Sequence, residues 1–348
     1  MKHTPQLALT LCLIALTACE SLPQASPTPT PPQRTIARPV VAPALANPPR
    51  DTPSPPAPSA DASPARPTAQ TLLDAAQRDY DANPTDETAI IWLARRLGYV
   101  GRHDDAINVL TKGLASNPGS YRILRHRGHR YITTRQFDLA IADLSFAASL
   151  CIPATDSDAL PSDEVEPDGL PNELDVPRST TRFNILYHLA LAQYLSGKFD
   201  DAAKTWGRCL TYARRNDDMT VATLNWLNLT LRRLTADVEA DVLIARIHPH
   251  LCVIEDGAYL DLLLLHKTDD PALADRLLAP DAHSPGANPN TAPLNNATIA
   301  YGVAMWHLLQ GHTDTARDIL QRTVDSANPA AFGAIAAEIE LASITSRQ

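Results

Sequence analysis

Along residues 87–154 apolar side chains fall at helical intervals, as at Ile90, Ala94 and Leu97, and the whole pattern then repeats. Setting Glu87–Ser120 above Tyr121–Ala154 places Ile90 over Leu124, Ala94 over Gly128, Leu97 over Tyr131, Ala106 over Ala140, Ile107 over Ile141 and Leu110 over Leu144, a constant offset of 34 residues. A period of this length predicts stacked helical hairpins, because one hairpin alone cannot bury its apolar face and needs the next to cover it. Gly101 is placed to end the first helix of its hairpin, and Asp104 and Asp105 bring a cap and negative first-turn charge to the second. Asn117-Pro118 stops that second helix. Small residues at 94/128 and 106/140 let the paired helices approach closely.

The same frame finds Ala190, Gly197, Phe199, Ala202 and Trp206 in a third unit and Ala304, Gly311, Ala316 and Leu320 in a late one. Ala140 and Ala202 are 62 residues apart, one period and an insertion of 28; Ala202 and Ala316 are 114 apart, three periods and 12 more. Two degenerate units are therefore expected between them. Leu224, Leu227, Leu231 and Leu234 form one apolar face there, followed by Val238–Ile247, Tyr259–Lys267, and a helix opened by Asp270-Pro271. Pro280–Asn296 reads as a loop, Thr71–Ala82 as an opening half unit and Ala330–Ile344 as a closing helix.

Ahead of the repeats the pattern vanishes. Half of the chain's 30 prolines lie between Glu20 and Gln70, among Ala, Ser and Thr and with no apolar period, so no core is expected there and the segment reads as a tether. Before it, Lys2 precedes an apolar run, Leu7–Leu16, that is too short to span a bilayer and has the shape of an export signal. The formal net charge of −9 and the aromatic content of 5% exclude a basic nucleic-acid coat, and no nucleic-acid partner is expected. Once Cys12 and Cys19 are assigned to the signal, Cys151, Cys209 and Cys252 remain, an odd set with no CxxC or metal spacing, which reads as structural thiols.

Two resemblances sharpen this outline. Leu16-Thr17-Ala18-Cys19 resembles the lipobox of bacterial lipoproteins, which implies cleavage before Cys19 and its acylation. Residues 1–18 would then be a signal peptide and 19–70 a lipidated, disordered proline-rich linker, holding the rest at the bacterial cell envelope. Glu20 stands where an aspartate would retain a lipoprotein at the inner membrane, which points to the outer membrane and its periplasmic side. Arg102-His103-Asp104-Asp105-Ala106-Ile107 and Arg135-Gln136-Phe137-Asp138-Leu139-Ala140-Ile141 resemble the turn and second helix of the tetratricopeptide repeat (TPR). That resemblance implies an all-α fold, a right-handed superhelix of hairpins over 71–348. Its units are about 87–120, 121–154, 183–216, 217–250, 251–296 (degenerate) and 297–330, with a cap helix at 330–346 and an acidic insertion at 153–177.

Members of the TPR family bind extended peptides on a concave face lined by first helices, so the resemblance implies a protein or peptide partner. The concave positions are Arg95 in the first unit, Arg122, Arg125 and His129 in the second, and Asn184 and Tyr187 in the third. Tyr121–Arg135 contains five arginines, with His126 and His129 and no acid, so the partner is expected to present acidic side chains or a C-terminal carboxylate. Arg127 stands out, since the frame calls for an apolar residue. The known chaperone-tail clamp is not matched: Ile91 and Arg95 occupy positions where that pattern has lysine and asparagine.

The insertion offers an internal answer to this basic helix. Pro153–Pro177 holds eight acids and no base, and Asp163, Glu164, Glu166 and Asp168 are expected to fold back onto Arg122, Arg125 or Arg127 as a plug or pseudo-ligand; a free acidic loop is the alternative. No nucleophile elbow, HExxH, Walker loop or dinucleotide turn is present, so no catalytic residue, cofactor or metal is assigned. The enzymatic alternative is a hydrolase or transferase using His129 and Arg125 with an insertion carboxylate.

Overall fold

The computed structural model describes residues 67–151, 164–166, 178–279 and 292–346, without the side chains of 292–296. The signal segment, Cys19, the linker up to residue 66, most of the acidic insertion (Asp163 and Asp168 included) and residues 280–291 lie outside this set. Within it the chain forms fourteen helices and no strand. They are α1 (Ala69–Ala82), α2 (Glu87–Tyr99), α3 (His103–Ser116), α4 (Tyr121–Thr133), α5 (Phe137–Cys151), α6 (Thr181–Leu195) and α7 (Phe199–Ala213). The second half holds α8 (Asp217–Arg233), α9 (Asp237–Ile244), α10 (Gly257–Thr268), α11 (Pro271–Leu278), α12 (Ala292–Leu309), α13 (Thr313–Ser326) and α14 (Phe332–Thr345).

One turn construction recurs through the chain. Gly101, Arg135, Gly197, Thr235 and Gly311 all have left-handed backbones, with φ of 79°, 62°, 76°, 56° and 80°. In each case the following amide bonds back to a carbonyl five residues earlier: Arg102 to Leu97, Gln136 to Tyr131, Lys198 to Gln193, Ala236 to Leu231 and His312 to His307, at 2.8–2.9 Å. This closes the first helix with a Schellman motif and starts the second with no room for a side-chain cap. Five residues after each turn residue comes a fully buried alanine: Ala106, Ala140, Ala202, Ala240 and Ala316. Asp269 (φ 52°) and Ala274 repeat the pair in the fifth hairpin, α10/α11. Three first helices begin differently, on side-chain caps: Asp86 accepts from the Ala89 amide, Ser120 from Ile123 and Asn216 from Met219.

Each first helix packs on its own second helix and on the first helix of the next unit, from α2 on α4 through to α12 on α14. The result is an all-α solenoid of hairpins. Element boundaries differ from the sequence reading by more than two residues in two places. The second helix of the fourth hairpin ends at Ile244 rather than Ile247, and α12 begins at Ala292, inside the stretch read as loop. No described helix is long and apolar enough to cross a membrane.

The solenoid also folds in on itself. Helix α14 follows α13 as a next first helix would, yet its side chains reach the second, third and fourth units. The Phe332 ring lies against His129 of α4 and His188 of α6, Glu338 pairs with Arg135 at 2.7 Å, and Glu340 pairs with Arg233 at 2.7 Å. This explains why α6, apolar over almost its whole circumference, is buried at every residue but Arg182. One large core runs from α4 to α14 around Trp206 and Trp226; a second, smaller one lies under α1–α3 around Ile90, Leu93 and Leu110. The seam between them carries charge.

Candidate functional site

Helix α4 presents its arginines in three directions. Arg122, at the first turn, is exposed and holds two acids: Nη1 donates to Glu87 Oε2 at 2.7 Å, while Nε and Nη2 donate to the two Glu164 oxygens at 3.0 and 2.5 Å. Ser120 also donates to Glu87. The hydrogen bonds it donates to these carboxylates raise the Arg122 pKa. One turn on, Arg125 pairs through Nε with Glu166 Oε1 at 2.7 Å; the two residues are 7% and 3% exposed. Arg127 points elsewhere, making a bidentate pair with Asp143 of α5 at 2.7 and 2.8 Å. The unexpected charge at 127 is thus spent tying its own hairpin together, and Arg127 does not meet the insertion residues described.

The acidic partners arrive on an extended segment. The Thr181 amide donates to the Glu164 carbonyl at 2.9 Å, the Glu166 amide to Ser179 at 3.4 Å, and Val165 bridges antiparallel to Thr180. Side chains alternate along such a segment. Glu164 and Glu166 therefore face α4 together, and Val165 points outward at 45% exposure. Two carboxylates two residues apart on an extended segment meet two guanidinium groups three residues apart on a helix. Burial pushes the Glu164 carboxyl up, but hydrogen bonds from Arg122 and Thr181 prevail and hold it below the usual carboxylate range. At Glu166 burial prevails over the attraction of Arg125 and Arg95, and its pKa is raised.

Behind Arg125 lies a partly open cavity of about 90 Å³ lined by Ala94, Arg95 and Tyr99 of α2, Leu110 of α3, and Arg125, His126, His129 and Arg130 of α4. Arg95 donates to the Tyr99 hydroxyl at 2.7 Å, and Arg125 Nη1 lies 3.1 Å from His126 Nδ1. Burial and then the charge of Arg125 bring Arg130 down to about 10. His126, His129 and His188 are all pushed well below the ordinary histidine range, first by burial and then by neighbouring arginines, so they are neutral at pH 7. His129 stacks on His188 with ring centroids 4.5 Å apart, and His188 Nδ1 donates to the Asn184 carbonyl at 2.6 Å.

Of the concave residues read from the sequence, Arg95, Arg125 and His129 converge on this cavity, and Arg122 lies outside it, paired with Glu87 and Glu164. Asn184 and Tyr187 do not present an open surface: they are 7% and 8% exposed, and Tyr187 packs edge-on against Trp206 and shares a 3.2 Å hydrogen bond with Tyr259. Four contributors were not singled out from the sequence: Glu87, Tyr99, Arg130 and Phe332. Glu87 and Tyr99 carried no signal beyond their place on α2, and Phe332 lies roughly 140–200 residues from its contacts. Among the described residues no three His, Cys, Asp or Glu side chains are arranged to hold a metal ion.

Comparison with solved structures finds distant likenesses. The chain is 14% identical to MamA, covering 58% of this chain and 90% of that one with a TM-score of 0.38. It is 12% identical to YrrB, described as a TPR protein with an unusual peptide-binding site, covering 79% of this chain and 100% of that one with a TM-score of 0.40. It is 15% identical to yeast Tom70, covering 80% of this chain and 60% of that one with a TM-score of 0.35. No family model and no curated protein matches the sequence. The hairpin solenoid rests on this chain's own packing, with its 34-residue offset and its recurrent turn.

Proposed function

We propose that the chain is a binding scaffold that takes up an acidic, extended segment of a partner protein or peptide against α4. The observation that carries this reading is the in-register pairing of Glu164 and Glu166 with Arg122 and Arg125. A helix that pairs with alternate carboxylates of its own insertion has the geometry to pair with those of another chain, and the internal segment then acts as a pseudo-ligand. Bidentate guanidinium contacts suit the paired oxygens of a carboxylate. With the export signal and Cys19 acylated, the scaffold would sit on a bacterial envelope membrane and reach outward on its proline-rich tether.

A labelled peptide with the sequence of residues 163–169 tests the site by fluorescence anisotropy. The double variant Glu164→Gln/Glu166→Gln should bind it about tenfold more tightly than the wild type, and binding should weaken markedly between about 0.1 and 0.5 M salt. No binding by either protein, with circular dichroism showing both folded, removes the proposal. Metabolic labelling with a fatty acid, lost in Cys19→Ala, tests the anchor separately.

A further inference from the structure

Helix α14 is held in two different ways. It packs on α12 and α13, with Gly333, Ala334, Ala336 and Ala337 buried along a run of small residues. At Gly333 the fit is exclusive, because any β-carbon there would collide with the Ala297 carbonyl oxygen. Toward the second, third and fourth units it makes contacts that nearest-neighbour stacking does not require. The Phe332 ring lies 5.2 Å from the His129 ring and 5.5 Å from that of His188, Glu338 meets Arg135, and Arg233 donates to both oxygens of Glu340. Residues two apart on a helix lie about 200° apart around its axis. Arg135 and Arg233 therefore hold α14 from roughly opposite sides. Arg233 is itself placed over the Phe199 ring, 4.9 Å from its centre, so this side of the seat is built by α7 and α8 and not by α14.

We propose that the seat of α14 is a docking site for a helix of a partner protein, with α14 as its resident occupant. The helix that fits carries an aromatic residue followed directly by glycine, acids five and seven positions after the glycine, and small or aliphatic residues between. That is the pattern of Phe332-Gly333, Glu338 and Glu340. The seat changes occupant by exchange. Lifting α14 away with no replacement leaves the largely buried Arg233 guanidinium without a carboxylate, which is costly, whereas an incoming acid pairs with Arg233 as Glu340 leaves. The exposed Arg135–Glu338 pair adds little strength and sets direction along the groove. Residues 327–331 alone join α14 to α13, so the resident helix is present at high effective concentration. A free helix competes once the resident contacts are weakened. The site uses neither Arg122 nor Arg125 and reads a helix instead of an extended chain, so it stands apart from the scaffold reading.

A labelled peptide of residues 331–346, titrated by fluorescence anisotropy into the full chain carrying Phe332→Ala and Glu340→Gln, tests this. The two changes weaken the resident helix and leave the residues of the seat as they are. The variant should bind the peptide about tenfold more tightly than the wild type. Gly333→Ala in the peptide should weaken binding by at least about tenfold, and Arg233→Gln in the chain should do the same. If the variant loses helicity by circular dichroism, adding the peptide should restore it, since the same seat is then filled from outside. Neither binding nor restored helicity overturns the proposal, and so does a Gly333→Ala peptide that binds as tightly as its parent. Wild-type chains that double in mass with concentration and revert when the peptide is added assign the seat to a second copy and overturn the partner assignment. The peptide of residues 163–169 should not compete, so this site and the α4 site fail or stand independently.

Discussion

Glu166 and Arg125 form a pair whose members are not equivalent. Removing Arg125 leaves Glu166 within the field of Arg95, whereas removing Glu166 leaves the buried Arg125 guanidinium without its carboxylate and beside the like charge of Arg130. Breaking a buried pair costs about 3–5 kcal/mol when the surviving charge is uncompensated. Glu166→Gln should therefore lower stability more than Arg125→Gln, and urea unfolding of the two variants measures the difference. Asp256 makes a second residue-scale case. Burial, with the nearby charges of Asp218 and Glu255, raises its pKa from 3.8 to about 7. A carboxyl raised on folding stabilises the native state below its unfolded pKa and loses that contribution as pH rises through the folded value. Asp256→Asn should thus stabilise the protein at pH 8 by on the order of 2 kcal/mol and have little effect near pH 4. The buried histidines act in the opposite sense, costing stability as pH falls below about 6.5, so the comparison is made between variant and wild type at each pH.

At the scale of elements, the hairpin turn is one solution written with different residues. Three of the five Schellman turns use glycine, but Thr235 and Arg135 adopt the same left-handed backbone. A β-branched residue pays about 1–2 kcal/mol there. Thr235→Gly should raise the thermal midpoint, and Gly101→Ala, with the substitution running the other way, should lower it. Helix contacts show equal economy. A β-carbon at Gly128 would lie 2.6 Å from Leu144 Cγ, and one at Gly333 would lie 2.4 Å from the Ala297 carbonyl oxygen. Leu144 can shift by changing rotamer, but backbone cannot. Gly333→Ala should therefore lift the start of α14 off α12, read as faster amide exchange in α14 and around His129 and His188.

For the molecule as a whole, the main consequence of the fold is that the coil holds its own C-terminal helix. Arg233 donates to both oxygens of Glu340 at 2.7 Å, and Arg135 reaches Glu338, so α14 ties the second and fourth units together. A solenoid held only by nearest neighbours can unfold in pieces; one whose end is fastened back to its middle gains long-range cooperativity. Glu340→Ala should broaden the denaturant transition and increase the radius of gyration in small-angle scattering. The smaller core under α1–α3 is separate from the large one, and its amides should exchange first.

The repeat period, the hairpin count and most boundaries could be read from the chain because each depends on local spacing: an apolar stripe, a small residue five positions after a turn, a proline or an acidic cap. Charge complementarity between Tyr121–Arg135 and the following acidic insertion was equally visible, since the two are neighbours in sequence. The left-handed turns at Arg135 and Thr235 were not, because nothing in those side chains marks the conformation that the hairpin imposes on them. Nor could sequence place Phe332 on His129, bury Asn184 and Tyr187, or gather Arg130 with Arg95 into one cavity. Those outcomes depend on the small rotation from each unit to the next, accumulated over six hairpins. That rotation is set by the packing of whole helices, and only the folded chain decides where its far end meets its middle.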